Sequence, residues 1–265
     1  MASEKLRLGG MALANGVLVH GPTAWACAVR TRDGELKVVA RRKRLRAAQV
    51  EQPLLRGPLR LLDAFALLPQ VKRALPEARF AFERPSVLAS VVASAGAVRA
   101  IRHAPGLRPA AKELAAGLLS LVPATLALRG SELAAYHGAE HISIGSYEHG
   151  EPRGKEHERC GSHLVGPLLV TSAVGGVLAA RAPEELRGLA RAAAALGSLV
   201  ASTELFSWMV RNPGHALARA LARPGHALQH SLATAEPTPA QVEVAEAALR
   251  ACLELEESDS TQHTH

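Results

Sequence analysis

The run from Leu164 to Ala180 contains no charged residue, and it sets the first condition on the fold. A helix crossing the hydrocarbon core of a bilayer needs about 20 residues and manages with about 17, so this segment qualifies at the margin as a span. Ala192 to Val210 qualifies on the same terms, with Glu204 as its single ionisable residue. Ser86 to Val98 and Leu114 to Leu128 are short for a span, and Pro123 interrupts the second. These two read as membrane-buried half-helices, interfacial helices or buried helices of a soluble α protein. Pro53 to Leu68 is the first long apolar helical stretch. Hydrophobic residues make up 48% of the chain but aromatics only 3%, so the apolar content is mostly Ala, Leu and Val. Gly175-Gly176 with Ala179-Ala180, and Ala192 to Ala195 with Gly197, let helix backbones approach closely, as helices do in lipid. In water the same residues would give an Ala-rich bundle, and a mean hydropathy of +0.07 does not separate the two cases.

Ahead of the helices, residues 7 to 46 read as β structure. Val17-Leu18-Val19 and Ala24 to Val29 are short apolar runs, and Arg32-Asp33-Gly34-Glu35 carries an Asp-Gly hairpin signal before Leu36 to Val39. Gly9-Gly10 and Gly16 fit tight turns or close backbone approach, with turn chemistry the favoured reading. The expected architecture is mainly α, a membrane-associated helical bundle preceded by a small N-terminal antiparallel β meander. Its divisions are a cytoplasmic meander over 1–48, a helical membrane domain over 49–255, and a disordered polar tail over 256–265. Asn212-Pro213-Gly214 and Arg223-Pro224-Gly225 read as turns, and the last helix, Ala240 to Leu255, sets Val242, Ala245, Leu249 and Cys252 along one stripe.

The net charge of +7 points to an anionic partner. Four Phe, two Tyr and two Trp give nucleic-acid bases little to stack on, so membrane lipids are the expected partner and nucleic acid is not. The run Arg41 to Arg46, placed just before the first apolar helix, reads as a cytoplasmic juxtamembrane anchor. Met1 to Leu6 lacks the apolar region of a secretory signal, so the N-terminal region is expected in the cytoplasm. Cys27, Cys160 and Cys252 lie at unrelated spacings and do not form a disulfide framework.

The chemistry-bearing residues concentrate between the apolar segments. In Tyr136-His137-Gly138-Ala139-Glu140-His141, a helix sets His137 and His141 at i and i+4, where both imidazoles can reach one ion, with Glu140 alongside. This H-x-x-E-H order reverses the zincin motif. His157 and Cys160, at i and i+3, offer another nitrogen and a thiolate, both good zinc ligands. Three protein ligands leave a position open, as catalytic sites do, whereas His157 as a fourth closes the set into a structural site. Glu140 is the candidate general base, or a carboxylate orienting an imidazole. Glu204 is either a remote ligand or, preferably, the ion-pair partner of Arg159 or Arg211, because a lone carboxylate in an apolar helix is costly. Glu148 reads as a solvated loop residue, and His20, His163 and His226 as ordinary polar residues.

Taken together these residues resemble the YqhQ-like family, bacterial membrane proteins of unknown function described as predicted metal-dependent enzymes. The resemblance covers most of the chain. It runs from Gly9-Gly10-Met11-Ala12-Leu13-Ala14-Asn15-Gly16-Val17 and Pro53-Leu54-Leu55-Arg56-Gly57, through His137 to His141 and His157-Glu158-Arg159-Cys160-Gly161-Ser162, to Glu204, Leu228-Gln229 and Ala233 to Pro237. Asn15, Met11, His20 and Glu158 stand where the family usually has Glu, Gln, Arg and Pro. The first difference speaks against acid–base chemistry in the N-terminal motif. The resemblance implies a bacterial cell-membrane protein with a metal site, and no substrate. The expected function is a zinc-dependent hydrolase acting at the membrane, on a peptide or a lipid-derived amide or ester. The alternative is a non-catalytic membrane scaffold or assembly factor with a structural metal, working with a membrane-protein partner or as a homo-oligomer. A third reading is a soluble helical protein docking on membranes through Arg41 to Arg46.

Overall fold

A computed structural model describes residues 5–45, 47–129 and 131–262. The N-terminal meander forms as β1 (Gly9–Leu13), β2 (Gly16–His20), β3 (Ala24–Arg30) and β4 (Leu36–Arg42), antiparallel and paired in chain order. The Asp33-Gly34 turn works as expected, with Gly34 at φ +84°. Asn15, between β1 and β2, is buried. Its amide nitrogen donates to the carbonyls of Arg30 and Glu77 while its oxygen accepts from the Arg79 amide. A carboxylate could not make the two donations, so this position is a structural tie.

Both faces of the sheet are covered, because successive side chains point to opposite sides and both sets are apolar. Val17, Val19, Ala26 and Ala28 pack on Tyr136 and Ala139 of α5 (Glu132–His149) and on Val244, Ala245, Ala248 and Cys252 of α9 (Pro239–Gln262). Leu18, Trp25, Cys27 and Val29 pack on Leu67, Val71 and Leu75 around α1 (Arg56–Ala74). The meander therefore shares its core with helices from both ends of the chain. The helix expected to stop at Leu255 continues to Gln262, and residues 263–265 of the expected disordered tail lie outside the described residues. Glu256 accepts from the Thr23 and Ala24 amides and the Thr23 hydroxyl, tying α9 to the sheet at 2.7 to 2.8 Å.

The basic run also divides. Lys43 turns inward to pair with Asp63 of α1 at 2.8 Å, both side chains almost fully buried, and donates to His20 Nδ1 at 3.0 Å. Burial first, and then the Lys43 charge, pushes His20 down to about 3. Lys43 cannot serve a surface anchor, Arg46 lies outside the described residues, and Arg41 and Arg44 stay exposed.

The remaining helices are α2 (Pro85–His103), α3 (Pro109–Ser120), α4 (Val122–Leu128), α6 (Val165–Ala180), α7 (Arg187–Arg211) and α8 (Ala216–Leu228). Among the described residues, three helical segments are long and apolar enough to cross a membrane: Pro109–Leu128, Gly161–Ala180 and Glu184–Arg211. The first was expected to be too short. Pro123 falls in the first turn of α4, where its missing N–H costs little, so α3 and α4 run on as one length. Small residues bring these segments together, as their spacing predicted. A side chain at Gly117 would strike Leu169, one at Gly176 would strike Glu113, and Gly175 lies against Ala194 and Ser198. Ser198 and Thr171 exchange hydroxyl-to-carbonyl bonds between α6 and α7. Leu114, Leu118, Val174, Leu178, Leu189 and Leu196 face outward, as lipid-facing residues would. The contacts Glu113 to Gly176 and Gly117 to Leu169 run the first two segments antiparallel, so Leu128, Gly161 and Arg211 share one end of the bundle. That end carries the sheet and α5.

Asn212-Pro213-Gly214 turns as expected, but Arg223-Pro224-Gly225 does not. α8 runs through Pro224 instead of breaking there, and the bare backbone of Gly225 lies against His163. A π-helical turn, Gln229–Ala233, follows it.

Candidate metal centre

Helix α5 holds the cluster through three of its faces. Tyr136 and Ala139 enter the sheet core. Gly138, His141 and Gly145 share another face at i, i+3 and i+7, and the two glycines let chain close over it. Gly138 admits the carbonyl of Ala235, while Gly145 admits Arg153 and His157. Between the two glycines the loop carrying Lys155, His157 and Cys160 folds back along the helix.

The liganding atoms of His137, His141 and Cys160 lie within 4.8 Å of one another. The rings of His137 and His141 are 4.4 Å apart, and Cys160 Sγ is 3.5 Å from His137 Nε2. Each histidine spends its other nitrogen on the backbone. His137 Nδ1 donates to the Ala233 carbonyl at 2.8 Å, and His141 Nδ1 donates to the Lys155 carbonyl at 2.7 Å. These bonds turn Nε2 of both rings toward the cluster, the arrangement metal-ligating histidines use. Burial, then His137, pushes His141 down to about 3. Burial holds the Cys160 thiol above its usual range, a preference that a bound cation would reverse.

Glu140 is buried, with Oε2 3.8 Å from His137 Nε2. Burial pushes its carboxyl up to about 7, with His137 opposing the rise and Cys160 adding to it. Gly10 of β1 is the floor beneath it, where a Cβ would sit 2.2 Å from Glu140 Oε1. Gly10 was expected to serve a turn, and its work is this close approach.

His157 stands beside the cluster, its ring 5.6 Å from that of His141. Its Nδ1 accepts from the Arg159 amide at 3.2 Å, so Nε2 bears the proton and donates to Glu148 at 3.1 Å. Both nitrogens are committed, which leaves three side chains in the ligand set. Glu148 is the residue read as solvated loop. It lies in the last turn of α5, largely buried, between His157 and the Arg159 guanidinium. Glu204 is elsewhere. Its carboxylate takes the Arg56 guanidinium, at 3.0 Å from Nε and 2.5 Å from Nη2, and accepts from the Leu54 amide at 3.1 Å. The ligand assignment is corrected to an ion pair, with Arg56 in place of Arg159 or Arg211.

Gln229, fully buried, is the residue that local sequence reasoning passed over. Its oxygen accepts from the His157 amide at 3.0 Å, and its nitrogen faces the His157 carbonyl, the Ser162 hydroxyl and His163 Nδ1 at 2.8 to 3.2 Å. It holds the Cys160 loop in place. A single glutamine after a helix gives no local signal of this.

The cluster opens on a cavity of about 500 Å³ whose wall includes His20, Leu133 and, from the end of the first apolar segment, Ala124 and Leu128. A protein-family model described as Protein of unknown function (DUF1385) matches residues 131–255, the stretch from the start of α5 into α9 that contains all three ligand candidates and Gln229. No curated protein and no solved structure matches the chain.

Proposed function

We propose that this chain is a zinc-dependent hydrolase of a bacterial cell membrane, with its sheet and cluster on the cytoplasmic side and an amide or ester of a membrane-resident molecule as substrate. The observation that carries the reading is the donor set. Two imidazole Nε2 lone pairs, freed by backbone bonds at Nδ1, converge with one thiol beside a buried carboxyl. Nitrogen and sulfur donors in this number suit zinc and leave a position open. When bound, zinc would polarise a carbonyl and acidify water at this place.

The protein's own part follows from Glu140. Buried beside His137, its carboxylate is placed to take a proton from water and return it to a leaving group. Backbone bonds at Nδ1 keep the His137 and His141 rings oriented. Ala124 and Leu128 on the cavity wall give an apolar substrate a surface reaching from the membrane segment to the cluster. The resemblance to the YqhQ-like family supports the bacterial membrane and the metal. The scaffold alternative needs a closed ligand set, and the bonds made by His157 favour an open one.

The test is elemental analysis of detergent-purified protein. One equivalent of zinc is expected in the native chain and in Glu140→Gln, and none in His141→Ala. Native protein purified without chelator and carrying no metal would overturn the reading, as would retention of metal by His141→Ala.

A further inference from the structure

A second cavity, of about 850 Å³, opens where α7 ends, and its walls divide by chemistry. Phe206, Met209 and Val210, from the last turns of the third apolar segment, form an apolar side with Ala218 and Ala222 of α8. The polar side carries five cations, Lys5, Arg7, Arg159, Arg219 and Arg223, against two carboxylates. Both carboxylates are already matched: Glu148 by His157 and Arg159, and Glu158 by His149 and Arg153. Arg159 is matched with them, so Arg219 and Arg223 of α8 carry the cationic character of this wall. Among the described residues Arg223 has no hydrogen-bond or ion-pair partner.

His163 supplies an independent sign of a ligand. It lines the same cavity and is only 2% exposed. Its Nδ1 lies 3.2 Å from the Gln229 amide nitrogen, and its Nε2 has no partner among the described residues. A buried ring nitrogen without a partner costs about 1–3 kcal/mol, and a polar headgroup entering the cavity would relieve it. A small soluble anion would satisfy the cations and leave the apolar side wet. A neutral lipid would cover the apolar side and leave the cations unmatched.

We propose that this cavity binds the phosphate headgroup of an anionic phospholipid, with the acyl chain along Phe206, Met209 and Val210 and the phosphate among Arg219, Arg223 and His163. The site lies at the end of a membrane-length helix, the depth at which headgroups sit. It needs no metal, so it stands apart from the reading of the cluster.

Native mass spectrometry of the detergent-purified full chain, titrated with phosphatidylglycerol, phosphatidylcholine or inorganic phosphate, tests this. Phosphatidylglycerol is expected to be retained in preference to phosphatidylcholine and to resist millimolar inorganic phosphate. Each arginine near a membrane surface contributes about 1 kcal/mol, so R219Q/R223Q should bind phosphatidylglycerol about thirtyfold more weakly. Both residues are exposed, so the fold is expected to survive. Ala222→Trp, which fills the apolar side, should lower retention without touching a charge. Equal retention of the two lipids, unchanged binding in either variant, or displacement by inorganic phosphate would each overturn the proposal.

Discussion

Replacing Gln229 by Met keeps the length of the side chain and removes both polar ends. The His157 amide then loses its partner, and so does His163 Nδ1. The His157 carbonyl keeps a bond from the Cys160 amide at 3.3 Å, so it is not stranded. Two buried polar groups left unsatisfied, at about 1–2 kcal/mol each, destabilise the 157–163 loop by about 3 kcal/mol. The loss is local, because Gln229 touches neither the sheet nor α9, and local opening has its own free energy. Hydrogen exchange of the full chain in detergent reads it directly. Amides of residues 157–163 should exchange about a hundredfold faster in Gln229→Met, the factor that about 3 kcal/mol implies, while those of β2 and β3 stay unchanged. Metal affinity should fall with it, since Cys160 rides on this loop. Unchanged exchange across 157–163 would refute the claim that Gln229 positions the third ligand.

Three further outcomes are expected. Gly138→Ala places a Cβ 2.2 Å from the Ala235 carbonyl oxygen and must push the 233–235 segment away from His137; metal affinity, measured by chelator competition, should drop about 10- to 100-fold, as when an orienting partner is lost. Glu204→Gln should leave metal content at the native level, because Glu204 serves Arg56, but should lower the thermal midpoint in detergent. His20→Asn keeps an acceptor for Lys43 but cannot protonate. Because the folded-state value of His20 is depressed from 6.5 to about 3, its contribution is present above pH 6.5 and is lost as pH falls towards 3. Two units below the unfolded value the native chain should lose about 3 kcal/mol that the variant keeps, visible as a smaller acid-induced drop in melting temperature.

What the sequence disclosed was local. Asp33-Gly34 and the short apolar runs define a meander because hairpin turns and strand alternation are encoded within a few residues. His137 and His141 are legible because helical periodicity alone places them together, and the nearby thiol of Cys160 completes the set. What it hid was long-range. Arg56 and Glu204 are 148 residues apart, and Gln229 is 72 from His157. No pattern along the chain brings either pair together. Gly10 looked like a turn because the carboxyl that excludes a side chain there belongs to α5. Pro123 looked like a break because its harmless place in the first turn of α4 depends on where α3 ends.

The number of ligands decides between an enzyme and a clamp, and His157 controls that number. For its ring to join the cluster, Nε2 would have to leave Glu148 or Nδ1 would have to leave the Arg159 amide. Either change also reaches Arg159, which Glu148 holds in place and which lines both cavities. A fourth ligand would thus be gained by loosening the wall between the cluster and the cationic cavity. The three-ligand arrangement keeps that wall intact, with Glu140 beside the open position on the floor that Gly10 provides. A buried carboxyl set opposite a bare glycine is what the proposed proton transfer would use, whereas a clamp would ask of Glu140 no more than the orientation of an imidazole.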